Sequence, residues 1–416
     1  MQTMKRFSWF FQGNQDRLFL PKYLSNVFLL LCSVLFGVLV VILQRLLSSF
    51  LIIRIGRLTC QRIGHFVLEV DWYLTSRNLM KGAVFQSQPR TLDFFFLSGN
   101  VSNEYFSSYI KSKIDVRPKL ILIGAYALNR LLPDGDKYLV PLPVRPTDLT
   151  VFDGSAPNVD FTDEEKARGE RILNQIGVLR NDRIVCFYIR DEAYGKQFFT
   201  SVDQSYTDYR NSTLENYIDA MTYFTENGYT VFRMGKTVKS TLDFQSSKII
   251  DYSNSPVRSD FMDFYIASRM EMAISTDSGM MLFPIWARKP FGLVNVPASH
   301  GIIESQYLLL FQFKIFFSRK FNRVLSLNEV INTTLLDSDS SLDFQRKGLT
   351  HIENTKEDIL DFSKELLALF KHKNTHSELA SEHILRLVSS LGGDYQSWIP
   401  KKISLNWLET NRKLLF

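Results

Sequence analysis

Short apolar runs alternate with amphipathic segments from residue 50 onwards. Strands are predicted where apolar residues are continuous between turn-forming residues, and helices where they recur every three or four positions. The predicted strands are 50–55, 92–97, 119–123, 183–189, 229–232, 248–252, 272–276 and 291–296. The predicted helices are 65–74, 104–113, 162–177, 212–228, 260–268, 280–287, 355–371 and 377–391. Alternating strands and helices predict α/β domains with parallel sheets.

Residue patterns typical of helix ends support two of these helices. Thr162 and Glu165 have the spacing of a capping box, and Ser212 and Glu215 have the same spacing. Gly228 follows the second helix, where a residue of positive φ commonly ends a helix.

A shift to Pro, Asp, Gly and Thr at 141–163 predicts a linker between two α/β domains. The first predicted domain covers 50–155. The second covers 156–350 and has about five strands, close to half of a doubly wound fold. Residues 1–49 form an N-terminal segment, and 351–416 form a C-terminal helical extension.

Residues 27–43 carry no charge and approach the length of a membrane span, which residues 24–26 and 44 can complete. A signal peptide is an alternative, but the run starts late and no clear cleavage site follows it. A buried core helix is another, but such helices usually keep a polar stripe. A membrane anchor at about 24–44 is favoured. Positive charge on both sides leaves its orientation open, and a partly inserted hairpin with 46–53 is a variant.

The chain of 416 residues has a net charge of +6, three cysteines and six histidines. No cysteine pair has metal-binding spacing, so neither a zinc site nor a disulfide framework is indicated, and a reducing compartment fits. The absence of a long Lys/Arg block disfavours nucleic acid as a partner. No G-x-G-x-x-G, P-loop or D-x-D motif occurs, which disfavours a dehydrogenase, a P-loop NTPase and a D-x-D metal-dependent transferase.

Polar residues follow three predicted strands of the second domain. Because the carboxyl ends of parallel strands share one edge of a sheet, these residues should converge on one crevice. Arginine, lysine and the start of a helix bind phosphate oxygens, so a diphosphate site is predicted. Its residues are Arg190, Arg233, Gly235, Lys236, Asp277, Ser278 and Gly279. Taken singly, Arg190 also fits an ion pair with Asp191 or Glu192, and Arg233 and Lys236 also fit solvated charges of a loop.

A basic, glycine-bounded loop precedes the first predicted helix. Arg57, Arg62 and Gly64 belong to it, and His65 begins the helix. We expect these residues to face the second domain across a cleft, where a histidine could accept the proton of a sugar hydroxyl. A helix-capping or surface histidine is the alternative.

Acidic side chains supply other base candidates. Asp191 and Glu192 follow a predicted strand of the second domain. Glu69 and Asp71 are weaker candidates, since helical spacing turns them away from the loop.

Four segments together resemble a glycosyltransferase family, known mostly by sequence, from bacterial surface-polysaccharide loci. They are IRIGRLTCQRIGH (53–65), CFYIRDEAY (186–194), YRNSTLENYIDAMTYFTENGYTVFRMGK (209–236) and STDSGMMLFPIWARKP (275–290). The resemblance covers roughly residues 50–300. It implies an α/β fold of two Rossmann-like domains in a GT-B arrangement, and transfer from a nucleotide-activated sugar without a bound metal. It also places the donor diphosphate at Asp277-Ser278-Gly279 and the base at His65.

The resulting expectation is a membrane-associated glycosyltransferase of the bacterial inner membrane, with its catalytic domains in the cytoplasm. A nucleotide sugar would be the donor and a glycan or lipid-linked molecule the acceptor, with membrane lipids as further partners and no separate cofactor. A sugar-nucleotide epimerase, another transferase on the same plan, and a non-catalytic scaffold that binds a nucleotide or glycan are alternatives. Replacing Arg233 with alanine is expected to lower turnover and leave the fold intact.

Overall fold

The computed structural model describes residues 19–82, 90–143, 149–158, 160–199, 203–243, 246–297, 305–326, 329, 340–372 and 402–411. The chain separates into two compact units, each built from pieces that are not consecutive in sequence. Unit 1 comprises Met1–Leu58, Phe85–Gly99 and Ile110–Pro141, and unit 2 comprises Thr59–Val84, Asn100–Tyr109 and Leu142–Phe416. The domain boundaries drawn above from composition stay a prediction.

The described chain contains the following elements. The helices are α1 Phe19–Leu47, α2 Ile63–Gly82, α3 Glu104–Lys113, α4 Lys119–Asn129, α5 Asp163–Gln175, α6 Ala193–Phe198, α7 Ile218–Glu226, α8 Asp260–Arg269, α9 Leu282–Trp286, α10 Ser341–Arg346, α11 Lys356–His372 and α12 Leu405–Thr410. The strands are β1 Leu51–Leu58, β2 Arg90–Leu97, β3 Arg183–Tyr188, β4 Tyr229–Met234, β5 Ile249–Ile250, β6 Met272–Ser275, β7 Phe291–Val296, β8 Leu308–Phe313, β9 Ile315–Ser318, β10 Arg323–Val324 and β11 Leu349–Ile352.

The core of unit 2 is a six-stranded sheet in the order β5-β4-β3-β6-β7-β8. Every neighbouring pair is parallel. Counted along the chain from β3, this is the order 3-2-1-4-5-6 of a doubly wound fold. The sequence predicted five of these six strands and missed β8, which lies in a phenylalanine-rich stretch without clear boundaries. The order reverses between β3 and β6, which makes that point the expected ligand crevice.

Both faces of this sheet are covered. The side chains of β4, β6 and β7 are buried along the whole of each strand, as expected for parallel strands with helices on both faces. The predicted helix at 355–371 is present as α11, and it buries Ile359, Phe362, Leu366 and Leu367 in the core. A small antiparallel sheet of order β10-β9-β11 follows β8.

The capping signals had different outcomes. Thr162 and Glu165 form the predicted capping box of α5, with bonds of 3.2 and 2.9 Å. The capping box predicted at Ser212 and Glu215 is wrong. The chain there forms a 3₁₀ turn, Leu214–Tyr217, whose N-cap Thr213 donates its N–H to Glu353 at 2.8 Å, and α7 begins only at Ile218. Gly228 has a φ of +82°, as predicted for the residue after the helix.

Unit 1 contains a two-stranded parallel sheet of β1 and β2. Both strands were predicted, but the third predicted strand, 119–123, is wrong, because these residues start helix α4. An apolar run of this length does not distinguish a strand from a buried helix. Here the helix continues to Asn129. Gly124 decides the packing, since a Cβ built on it would lie 1.9 Å from the main-chain oxygen of Ser33 in α1.

The prediction of a membrane-spanning helix at about 24–44 is not supported. Among the residues that the structure describes, none of the helices combines the length and the apolar character that a membrane span requires. Several apolar side chains of α1 are nevertheless exposed, including Leu35 (68%), Leu39 (64%) and Leu46 (72%). The predicted helix at 377–391 lies outside the described residues.

We predict that Gly124→Ala destabilises unit 1. The added methyl group meets main-chain atoms of α1, which cannot rotate away, so the helices must separate at a cost of about 1–3 kcal/mol. Urea unfolding followed by circular dichroism should show a lower midpoint. Leu131→Ala, at an exposed position of the same unit, is the control and should leave the midpoint unchanged. Equal midpoints for all three proteins would mean that α1 and α4 are not in backbone contact.

Candidate functional site

A cavity of about 240 Å³ opens in unit 2 beside the carboxyl ends of β3, β4 and β6. It therefore lies at the point where the strand order reverses, the usual ligand position in this class of sheet. Its polar and glycine lining residues include Arg62, Gly64, His65, Ser102, Asn103, Arg190, Asp191, Gly195, Gln204, Thr207, Arg210, Gly235, Lys236, Thr237, Asp263, Ser278 and Gly279.

The loops that follow β3 and β6 are joined by two hydrogen bonds. The Thr276 N–H donates to the main-chain oxygen of Tyr188, and the Arg190 N–H donates to the Thr276 hydroxyl, both at 2.9 Å. The small side chain of Thr276 fits between the strands and is fully buried. These bonds fix the start of the Asp277-Ser278-Gly279 loop at the floor of the cavity.

The first turn of α2 forms another wall, where Gly64 lies against Gly279. A Cβ on Gly64 would come within 2.6 Å of the Gly279 Cα and 2.8 Å of its main-chain oxygen, so only glycine permits this approach. The helix that the sequence predicted after Gly279 is a 3₁₀ turn, Gly279–Met281, followed by the five-residue α9. The long helix that begins at the cavity is α2, and its first-turn N–H groups lack intrahelical acceptors.

Two basic side chains border the cavity and remain partly accessible. The Lys236 ammonium donates to the main-chain oxygen of Ser102 at 2.6 Å and pairs with Asp260 at 3.3 Å. Arg62 donates to the hydroxyl of Tyr206 at 3.2 Å, and its guanidinium lies 5.3 Å from the ring centre of Phe199. Arg62, Gly64 and His65, predicted to face the second domain from the first, lie in the same compact unit as the doubly wound sheet.

Arg233 does not line the cavity, although the sequence placed it there. It is 1% exposed and donates to Asp251 at 3.1 Å and to the main-chain oxygen of Ser240 at 2.7 Å. The cause is the length of β4, which continues to Met234, so that Arg233 is a strand residue rather than a loop residue. The following Gly235 and Lys236 lie in the loop and do line the cavity.

Arg190 lines the cavity, but its guanidinium is bound to the segment 205–211. It donates to the main-chain oxygen of Thr207 at 3.1 Å, to the Thr207 hydroxyl at 2.7 Å, and to the side-chain oxygen of Asn211. Burial, followed by the nearby charge of Arg210, lowers the pKa of Arg190 to about 10. Arg190 therefore shapes a wall of the cavity and still carries its charge at neutral pH.

The acidic base candidates are already engaged by the protein. Asp191 lines the cavity, but its two oxygens accept the main-chain N–H groups of Ala193 and Lys239, both at 2.8 Å. Glu192 is not part of the lining, and a hydrogen bond from Lys239 lowers its pKa.

The acidic residues of α2 are also engaged. Glu69 accepts the main-chain N–H of Thr59 at 2.6 Å. Asp71 forms a buried ion pair with Arg288 at 2.7 Å.

Arg210 is a basic lining residue that sequence reasoning missed. Its Nη2 atom donates to the main-chain oxygen and to the carboxylate of Asp277, both at 3.0 Å. The signal was present, because 195–211 is a long polar stretch and one of the resembling segments contains Arg210. Asp277 is thereby buried against an arginine, and Ser278 and Gly279 are the members of that loop that line the cavity.

Arg57 belongs to unit 1, where it lies in β1 and its Nε donates to the Ser98 hydroxyl at 3.2 Å. Arg57 is therefore not among the described residues that line the cavity in unit 2.

Comparisons with known proteins give a distant structural similarity only. No protein-family model and no curated protein matches the chain. A glycosyl transferase family 9 structure from Veillonella parvula matches with a TM-score of 0.43 and 11% identity, over 76% of this chain and 97% of that one. The ADP-heptose LPS heptosyltransferase II of E. coli matches with a TM-score of 0.32 and 11% identity, over 58% and 84%. The iron-containing glycosyltransferase TibC of E. coli gives 0.28 and 13%, over 58% and 57%. Similarity at this level does not identify the activity of this chain.

Proposed function

We propose that this chain is a glycosyltransferase that moves a sugar from a nucleotide-activated donor to a hydroxyl group of an acceptor. One observation carries the proposal. At the reversal point of a doubly wound sheet, the first turn of a 20-residue helix, α2, meets a glycine-containing loop in a cavity bordered by Arg62 and Lys236. This combination of donors and positive charge suits a diphosphate.

The chemistry that follows needs few groups. The acceptor oxygen forms a bond to the anomeric carbon of the sugar, while the bond from that carbon to the diphosphate oxygen breaks. Negative charge then grows on the diphosphate, where Arg62, Lys236 and the first-turn N–H groups of α2 can stabilise it. The acceptor hydroxyl loses a proton, which a neighbouring base must take.

His65 is the best-placed group for that proton. It belongs to the first turn of α2 and lines the same cavity as Lys236 and Gly279. Asp191 also lines the cavity, but its oxygens already accept two main-chain N–H groups. The proposal assigns the base to His65, because an imidazole can accept a proton near neutral pH. It gives Asp191 the task of fixing the loops after β3 and β4.

The finer parts of the proposal come from the resemblance of the sequence. They are a GT-B arrangement of two Rossmann-like domains, a metal-independent reaction, and a glycan or lipid-linked acceptor in surface-polysaccharide synthesis. They also include catalytic domains on the cytoplasmic side of the bacterial inner membrane, where sugar nucleotides are made.

Membrane contact is proposed through the surface of unit 1, without a span. Leu35, Leu39 and Leu46 of α1 are exposed, and the exposed basic residues Lys119 and Arg130 lie in the same unit. A unit whose surface carries both exposed apolar side chains and positive charge suits an interfacial position on an anionic bilayer.

We predict that Lys236, which borders the cavity, is needed for nucleotide binding, whereas the buried Arg233 is needed for stability. A nucleoside diphosphate at 100 times its Kd stabilises the folded state by about 2.7 kcal/mol and should raise the Tm of the full chain by a few degrees. A thermal-shift panel of ADP, UDP, GDP and CDP measures this. Lys236→Met should abolish the rise and leave the Tm of the free protein nearly unchanged.

Arg233→Met, the matched comparison, should instead lower the Tm of the free protein. It removes the buried guanidinium and leaves the partly buried Asp251 without its ion pair, at a cost of about 3 kcal/mol. The earlier expectation that Arg233 can be replaced without loss of fold is thus reversed. No rise with any nucleotide, on protein shown to be folded, would contradict the diphosphate site.

His65→Gln should lower the rate of sugar transfer by about 10²–10⁴-fold and leave nucleotide affinity intact, because it removes the base and keeps the size of the side chain. Transfer from radiolabelled sugar nucleotides to a membrane extract measures the rate. Turnover of the donor without an acceptor would favour the epimerase alternative, and nucleotide binding without any turnover would favour the scaffold.

Co-flotation with vesicles tests the membrane surface. The full chain should float with vesicles that contain anionic lipid, and the double variant Leu35→Asp/Leu39→Asp should remain in the dense fractions, because charges on the exposed side of α1 oppose insertion. A matched change away from α1, Leu179→Asp in unit 2, should float like the unchanged protein. Equal flotation of all three would remove the surface of α1 from the proposal.

A further inference from the structure

We propose that Lys314 is a positioning residue for the candidate site. It holds the segment that carries Arg210, and Arg210 in turn holds the Asp277-Ser278-Gly279 loop. The importance of this chain of contacts for catalysis rests on the proposed function, but the contacts themselves do not. Lys314 lies between β8 and β9 and does not line the cavity.

Lys314 holds the main chain on both sides of Arg210. Its ammonium donates to the main-chain oxygen of Tyr209 at 3.1 Å and to that of Asn211. The side chain is almost fully buried, so both bonds are made away from water and are charge-assisted. An unpaired carbonyl at this depth is costly, so the ammonium stabilises the course of residues 209–211.

Other contacts hold the same segment, so its position is well determined. Arg190 binds Thr207 and the side chain of Asn211, as described above. The Tyr209 N–H donates to the hydroxyl of Ser341, at the start of α10, at 3.3 Å. The ring of Tyr209 also packs against Phe344 of α10, with ring centres 5.0 Å apart.

Arg210 connects this segment to the loop that lines the cavity. Its guanidinium binds the carboxylate and the main-chain oxygen of Asp277, so it fixes both the side chain and the backbone of that residue. Ser278 and Gly279 follow directly and line the cavity. A shift of 209–211 therefore moves the loop against which α2 is packed.

The ammonium of Lys314 loses its proton in a pH range that solution experiments can reach. Glu353, Arg190 and Asp277 are the charged groups that act on it, and burial lowers its pKa to about 8. Between pH 8 and the ordinary lysine pKa of about 10, the segment therefore binds fewer protons when Lys314 is buried than when local opening exposes it to water. Opening of this segment should therefore become less favourable as the pH rises over this range.

Hydrogen exchange measures the loop directly. In Lys314→Met, the main-chain amides of 205–211 and 277–281 should lose protection by about tenfold, as expected when a charge-assisted bond of 1.5 kcal/mol or more is removed. Lys402→Met is the matched control. Lys402 is a partly buried lysine that also donates to a main-chain oxygen, that of Ser305, at 2.7 Å, and it makes no described hydrogen bond to 209–211. Unchanged protection in Lys314→Met would overturn the proposal, whether or not any nucleotide binds.

Nucleotide affinity then tests the link to the site. Isothermal titration with ADP and UDP should show binding that is about tenfold weaker in Lys314→Met and unchanged in Lys402→Met. The double variant Lys314→Met/Arg210→Met should bind as weakly as Arg210→Met alone, because Lys314 acts through Arg210. If the losses of nucleotide affinity from the two substitutions add fully in the double variant, Lys314 does not act through Arg210. Lack of binding by the unchanged protein would count against the proposed function, and the exchange result would still decide the positioning role.

The unchanged protein provides a second test if Lys314→Met does not fold. Protection factors of 277–281, corrected for the intrinsic exchange rate at each pH, should rise between about pH 8 and 10, because opening that exposes Lys314 then takes up a proton. The amides of α11, in the same unit, serve as the reference and should keep their protection. A flat profile for 277–281 would overturn the proposal.

Discussion

The backbone contact between Gly64 and Gly279 is the constraint on which the candidate site depends. Neither residue has a side chain, so the first turn of α2 can lie against the loop that follows β6. That contact brings His65 and the N–H groups of a long helix to the reversal point of the doubly wound sheet. A Cβ at Gly64 would displace main-chain atoms, and the cavity would lose one of its walls.

Burial sorts the positive charges around this contact into two roles. Arg233 is enclosed and ion-paired, and Lys314 is buried on main-chain carbonyls, so both maintain the shape of the loops. Arg62 and Lys236 keep part of their surface accessible beside the cavity. A buried cation already has its partners and exchanges them for a ligand only at a high cost, whereas a partly solvated one can turn to an anion.

The polypeptide after the doubly wound sheet also supports the site. Lys314 comes directly after β8, and α10 contacts the same short segment, 205–211, that Lys314 holds. Residues about a hundred positions apart in sequence thus share one loop. This explains why a region without candidate catalytic residues can still influence the geometry of the cavity.

The sequence by itself determined most strands and helices of unit 2, because periodicity and capping are local properties of a few neighbouring residues. It also indicated that the loops after β3, β4 and β6 meet, since parallel strands share an edge. It could not distinguish a strand from a helix at 119–123. The structure has a helix there, in backbone contact with α1. Only the tertiary structure decided that Arg233 is buried, that Arg210 binds Asp277 and that α2 supplies a helix start to the cavity. Each of these depends on where a side chain points and on segments far apart in sequence, which packing alone settles.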